Sequence, residues 1–269
     1  MEKLEIHTLI CKRDVSWWLD TFKLFEHYSG LNCEVHVHED GSFDQADCEA
    51  LKREIPFVVI RRRQDADTMM KDALRGYPLC THFRFAEHHT IFRIKLFDPF
   101  ILSYSNNVMY MDADILFCQR PTEIIDCVNN SVGFYLRDSW SSYCVPFRDE
   151  DQDKSVDRLI NAGLTYFPTR AHYSLDEIES CLEILYNHGS RGATHPFLEQ
   201  SCIAYLISHQ RAKGINFIEL PHPQYCVPTF GKFLPEHGCT ALHLNSCAFV
   251  GSHKDEHYKY ELKKIEPPL

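Results

Sequence analysis

"VMYMDADILF", Val108 to Phe117, decides how this chain is read. An apolar run, Val108 to Met111, ends in two carboxylates, Asp112 and Asp114, and apolar character returns at once with Ile115. Asn106 and Asn107 before it are a turn signal, and a short continuous apolar run reads as a strand buried on both faces. In open α/β sheets, ligands bind in the crevice beyond the carboxyl ends of the strands, so both aspartates are expected to project into it. Two hard oxygen ligands on one short loop, with no cage around them, suit Mg2+ or Mn2+ taking its remaining ligands from a phosphate-bearing substrate. The alternative is that Asp112 caps a turn and Asp114 solvates the strand end.

Working outward, the chain alternates strand and helix patterns. "KLEIHTLI" carries Leu4, Ile6 and Thr8 at the strand period; Asp14 then stands at a helix N-cap position, ahead of Val15, Trp18, Leu19, Phe22 and Phe25 at helical spacing. "CEVHVH" reads as a second strand, and "PFVVI", Pro56 to Ile60, as a third, buried on both faces. Ser174 and Glu177 form a capping-box pattern before Leu175, Ile178, Leu182 and Leu185, with Gly189 as a stop. A further helix is expected from about Phe197 to Gln210, ended by Gly214, before the strand-like "INFIEL". Such alternation implies an α/β protein with a mostly parallel central sheet flanked by helices. Arg137 to Ser155 and the polar tail from about Lys254 are expected to be irregular, within a single domain spanning residues 1–269.

Composition narrows the function. The 269 residues are 44% apolar and 25% charged, as in a globular protein with a substantial core. No stretch approaches a membrane span, and the start lacks the basic flank and long apolar core of a signal peptide, so a cytoplasmic location is expected. A net charge of -10 argues against a nucleic-acid surface, which needs a concentrated basic face. Among 12 cysteines and 16 histidines, the densest group is Cys226, Cys239, His243, Cys247, His253 and His257, whose spacing is irregular against zinc-binding patterns.

"VMYMDADILFCQRPTEI" resembles the DxD segment of nucleotide-sugar glycosyltransferases with the GT-A (Rossmann-like) fold, most of all the retaining family-eight enzymes that include glycogenin and bacterial α-galactosyltransferases. Three later segments follow in that family's order. "NAGLTYFP" is similar to its NAG strand, where Asn161 and Gly163 would meet donor sugar and acceptor; a glycine lets a ligand approach the backbone. "LEQSCIAYLI" is similar to its DQ segment and places Glu199 and Gln200 in the first turn of a helix. "HLNSCAFVGSHK" offers His243 as a third metal ligand, and Gly251 and Lys254 for the diphosphate, at a wider separation than the family's usual pattern. Upstream, "FRIKLFDPF" resembles the helix that sends a basic residue to the nucleotide; Lys95 or Arg93 fits, Lys95 the better. "LICKRDVSWW" lacks the family's aspartate pair in the uridine-binding loop, so uridine is expected on resemblance alone.

The resemblance implies a transferase that moves a sugar from a nucleoside diphosphate sugar to an unknown acceptor. Asp112, Asp114 and His243 would hold Mn2+ or Mg2+, with Asp112, Ala113, Lys95, Gly163, Gly251 and Lys254 on the donor. Gln200, Glu199 and Asn161 would act at the reacting sugar, with retention implied by Gln200 and inversion left open by Glu199. Two other readings stay open: a haloacid-dehalogenase-type phosphohydrolase, whose D-x-D normally opens its fold, and a nucleotide-sugar-binding protein without turnover.

Overall fold

The computed structural model describes residues 3–86, 91–139, 159–187, 198–227 and 239–244. The chain opens with β1 (Leu4–Ile10), α1 (Val15–Ser29), β2 (Cys33–Glu39), α2 (Gln45–Glu54), β3 (Val58–Arg61), α3 (Arg63–Ala73), α4 (Pro78–Phe85) and α5 (Ile94–Ile101). β4 (Val108–Met111) and β5 (Ile115–Phe117) flank the acidic turn. There follow α6 (Thr122–Asn130), β6 (Gly133–Arg137), β7 (Ile160–Phe167), α7 (Leu175–Asn187), α8 (Leu198–Ala212), β8 (Phe217–Glu219), β9 (Tyr225–Cys226) and β10 (Ala241–His243).

Seven strands form one sheet in the order β3-β2-β1-β4-β7-β6-β8, in which only β7 runs against its neighbours. Strand alternation divides the core between its faces. Ile6, Val35, Val37, Met109 and Met111 pack with Trp18, Phe22 and Phe25 of α1, while Val108 and Tyr110 pack with Met70, Phe97, Leu182 and Leu206 of the helices opposite. The expected mostly parallel α/β sheet is therefore present. No helix among the described residues is long and apolar enough to cross a membrane.

Several local expectations need correction. β3 lies at the sheet edge, so of its four residues only Val58 is buried, and "PFVVI" is not covered on both faces. Asp14 occupies the N-cap of α1, but its carboxylate accepts from the Cys11 thiol and Arg13 Nε, because a 3-10 turn over Lys12–Asp14 runs straight into the helix. Ser174 accepts from the Glu177 amide at 3.3 Å, whereas the Glu177 carboxylate turns to Gln210 and Lys213, so half of that capping box forms. The complete box is at α2, between Asp44 and Asp47. Gly189 lies outside the described residues, as does most of the segment from Arg137 to Ser155; Arg137 itself ends β6.

Two irregularities shape the crevice beyond β4. β7 shifts register against β6, from Tyr135↔Thr165 to Leu136↔Asn161, and this bulge re-aims Asn161–Gly163 away from simple ladder pairing. A second sheet, β5-β10-β9, starts directly after the acidic turn; its antiparallel pair sets His243 opposite Ile115.

Candidate active site

The carboxyl end of β4 brings Asp112, Asp114 and His243 together. His243 Nε2 lies 3.4 Å from Asp112 Oδ2 and 3.2 Å from Asp114 Oδ1, and one ligand atom from each residue falls within 4.8 Å of the others. The position of His243 follows from its pairing with Ile115, together with a hydrogen bond from the Leu244 amide to the Asp114 carbonyl at 2.9 Å. Its Nδ1 lies 3.0 Å from Asn161 Oδ1, which also accepts from the Gly163 amide at 2.8 Å. A Cβ on Gly163 would meet the His243 ring, Asp112 Oδ2 and Asn161 Oδ1, the two oxygens at 2.7 and 2.8 Å. The space a side chain would take at Gly163 is thus filled by two of the three ligand-type side chains and Asn161.

Lys95 reaches the same carboxylate from α5, with Nζ 3.3 and 3.2 Å from the Asp112 oxygens and 4.0 Å from Glu199 Oε1. The Tyr110 hydroxyl donates to Asp112 Oδ1 at 2.8 Å. Burial alone would push the Asp112 carboxyl up, but Lys95, His243 and Tyr110 together hold it well below the usual range. Burial opposes the charge on Lys95 too, yet Asp112 and Glu199 raise its pKa. For His243 burial is outweighed by Asp114 and Asp112, which raise it to about 9; without a metal, an imidazolium and an ammonium balance the acidic turn. Glu199 is pushed up to about 7, chiefly by burial, with Lys95 pulling the other way.

Beside this group lies a buried amide pair. Gln200 Nε2 donates to Asp138 Oδ2 at 2.9 Å, and the Ala162 amide approaches Gln200 Oε1 at 3.4 Å, so both ends of the Gln200 amide are held. Asn161 Nδ2 donates to the same Asp138 oxygen at 3.3 Å. Asp138 escapes sequence reading because it falls in a polar stretch, although a carboxylate just past the carboxyl end of β6 repeats the signal that marks Asp112. Arg93 points elsewhere, to the carbonyls of Phe83 and Ala86. Gly251, Lys254, Cys247, His253 and His257 lie outside the described residues. Cys226 and Cys239 approach to 3.8 Å between sulfurs, while His243 faces the acidic turn instead.

No protein-family model matches the chain, and no curated protein sequence does. Solved structures do match. Galactosyltransferase LgtC, in complex with donor and acceptor sugar analogues, superposes with a TM-score of 0.58 at 10% identity, over 99% of this chain and 98% of that one. The chain has the GT-A fold. Mouse xyloside xylosyltransferase 1 in its apo form gives 0.58 at 11% identity over 93% of this GT-A chain and 100% of its own. The bifunctional glycosyltransferase WbbM gives 0.58 at 11% identity, over 99% of this chain and 50% of that one. Identities this low establish the fold, and function has to be argued from the site.

The side chains present fit a divalent cation. Two carboxylates and an imidazole form a hard, oxygen-dominated set suited to Mn2+ or Mg2+. The Asp112–His243 and Asp114–His243 separations are close to the spacing of about 3 Å expected of adjacent ligands around an octahedral ion bonded at roughly 2.1 Å.

Proposed function

We propose that this protein is a divalent-metal-dependent glycosyltransferase, taking a sugar from a nucleoside diphosphate sugar, with uridine as the favoured base, and passing it to an acceptor with retention of configuration. The observation that carries this reading is the convergence of Asp112, Asp114 and His243 at the carboxyl end of β4, packed against a glycine that lets these side chains close on the backbone of β7.

A cation held by those three residues would neutralise the negative charge that builds on the departing diphosphate. Lys95 adds a fixed positive charge beside Asp112, and the Tyr110 hydroxyl keeps that carboxylate oriented. In this reading the donor meets the turn at the Ala113 backbone and beside Gly163, and Gly251 and Lys254 complete the diphosphate site. Asn161 and Gln200, both anchored on Asp138, are pre-set to position sugar and acceptor rather than to take a proton. Glu199, pushed up to about 7 by burial, has a pKa that suits an acid or a base near neutral pH, so retention rests on the likeness of the Gln200 segment and is tested by product configuration. The acidic segment lies on the fourth strand of a GT-A sheet, which favours sugar transfer over a phosphohydrolase reading.

The test is turnover. With Mn2+ and a panel of uridine diphosphate sugars, release of uridine diphosphate and an α-configured product from an α-linked donor are expected by NMR. Binding of nucleotide sugar without release from any donor would make this a binding protein, and a β-configured product would make it an inverting enzyme.

A further inference from the structure

The face of the sheet under α5 carries a second group of ligand-type side chains, set back from the acidic turn beside Val108 and Tyr110 of β4. Glu5 pairs with Val108 at the start of β4, whereas Asp112 lies past its end. The parallel register of β1 and β2 sets Glu5 beside Glu34 and His7 beside His36. Ile6 and Val35 point into the core against α1, so these four side chains share the other face. His7 and His36 are fully buried and Glu5 nearly so. Such a cluster is costly to desolvate unless its members are paired or ligate a metal.

The separations among Glu5, His7 and His36 suit three corners of a tetrahedral ion. Glu5 Oε2 is 3.2 Å from His7 Nε2 and 3.9 Å from His36 Nε2, and Glu34 Oε1 is 2.9 Å from His36 Nε2. One ligand atom from each of Glu5, His7 and His36 lies within 4.8 Å of the other two. Ligands bonded to zinc at about 2.0–2.2 Å stand roughly 3.3–3.6 Å apart, inside the spread observed. Outer partners are also in place. His7 Nδ1 is 2.9 Å from His38 Nε2, which fits a proton on Nδ1 and a lone pair on the inward Nε2. Glu5 Oε1 accepts from the Ser105 amide at 2.7 Å, and Oε2 from the Ser103 hydroxyl at 2.5 Å. Arg61 touches His36 Nδ1 at 3.4 Å, but it has better partners in the Leu102 carbonyl and the Tyr104 hydroxyl, both at 3.0 Å, and can release the imidazole.

We propose that Glu5, His7 and His36 bind a zinc ion whose fourth position Glu34 closes by swinging in from His36 Nε2, and that this ion fastens β1 to β2 and, through Glu5, the loop at residues 103–105 that leads into β4. With Glu34 turned inward all four ligands come from the protein and no position is left for substrate, so the ion is structural. Glu34, the most exposed of the four, marks the entry path. The inference is independent of the transferase reading.

The experiment uses the full chain carrying Asp112→Asn and Asp114→Asn, so that the acidic turn does not compete. Crystals grown with zinc chloride are expected to give a zinc-edge anomalous peak between Glu5, His7 and His36. Dialysed protein is expected to retain that zinc by elemental analysis. Adding His36→Gln should abolish both the peak and the zinc-induced rise in melting temperature. Should His36→Gln not fold, Glu34→Gln, at a part-exposed position, is expected to weaken zinc binding at least about 10-fold. Absence of the peak, or zinc binding unchanged by the foldable variant, overturns the site in favour of a purely hydrogen-bonded seam.

Discussion

The Asp112 amide donates to the Gly163 carbonyl at 2.7 Å, so the acidic turn hangs directly from the backbone of β7. The three atoms nearest a methyl group at Gly163 belong to His243, Asp112 and Asn161, all side chains of the site. Gly163→Ala is therefore expected to displace the ligand set and lower turnover on the order of 10²-fold, with little change in melting temperature. Steady-state rates alongside a thermal melt check this; a large loss of stability with normal specific activity would make Gly163 a packing residue.

Lys95→Met removes the cation beside Asp112. Turnover should fall by about 10²- to 10³-fold, the usual cost of losing one electrostatic donor at a leaving group. Metal affinity without nucleotide should hold or improve, since the ammonium no longer competes for Asp112. Calorimetric titration with Mn2+ decides it, and weaker metal binding would assign Lys95 to organising the ligand set.

Asp138→Asn replaces the shared acceptor of Asn161 and Gln200 with a group of the same shape. Rotated either way, the new amide serves the two donors less well, and a loss of about 1–3 kcal/mol in stability is expected, together with slower turnover at unchanged metal affinity. Denaturant unfolding and a metal titration on the one variant test both parts. An unaffected rate would remove Asp138 from the positioning role.

Glu199 has a folded-state pKa near 7, above its ordinary value of 4.5. Between those values the folded chain keeps a proton that the unfolded chain has released, so this residue makes stability fall as pH rises from 4.5 to about 7, and the penalty persists above that. Glu199→Gln should remove the slope and raise stability at pH 8 by about 3 kcal/mol. In a retaining enzyme its rate should drop far less than the roughly 10²- to 10⁴-fold cost of losing an essential base. Unfolding curves across that pH range, read beside the rates, report each effect separately.

What the sequence discloses depends on how local the cause is. The stripe of Trp18, Phe22 and Phe25 and the abrupt change from apolar to acidic at Asp112 are local patterns, and both mark real elements. His243 is flanked by leucines in the sequence; only its pairing with Ile115, across more than a hundred residues, brings it to the acidic turn. β5, β9 and β10 are two or three residues long, too short to show a period, so the small sheet is invisible beforehand. "EIH" and "EVH" alternate like ordinary half-exposed strands; their burial follows from α5 and its loop closing over that face, a tertiary event.

The most direct test of the central claim is the melting temperature of the protein with uridine diphosphate, in the presence of Mn2+ or of chelator. A ligand bound only by the folded state stabilises it by about 2.7 kcal/mol at a hundredfold excess over Kd. A shift is expected with Mn2+ present, larger than with guanosine, adenosine or cytidine diphosphate, abolished by chelator and by Asp114→Asn. An equal shift in chelator, or none with any nucleoside diphosphate, would contradict a metal-borne donor site at Asp112, Asp114 and His243.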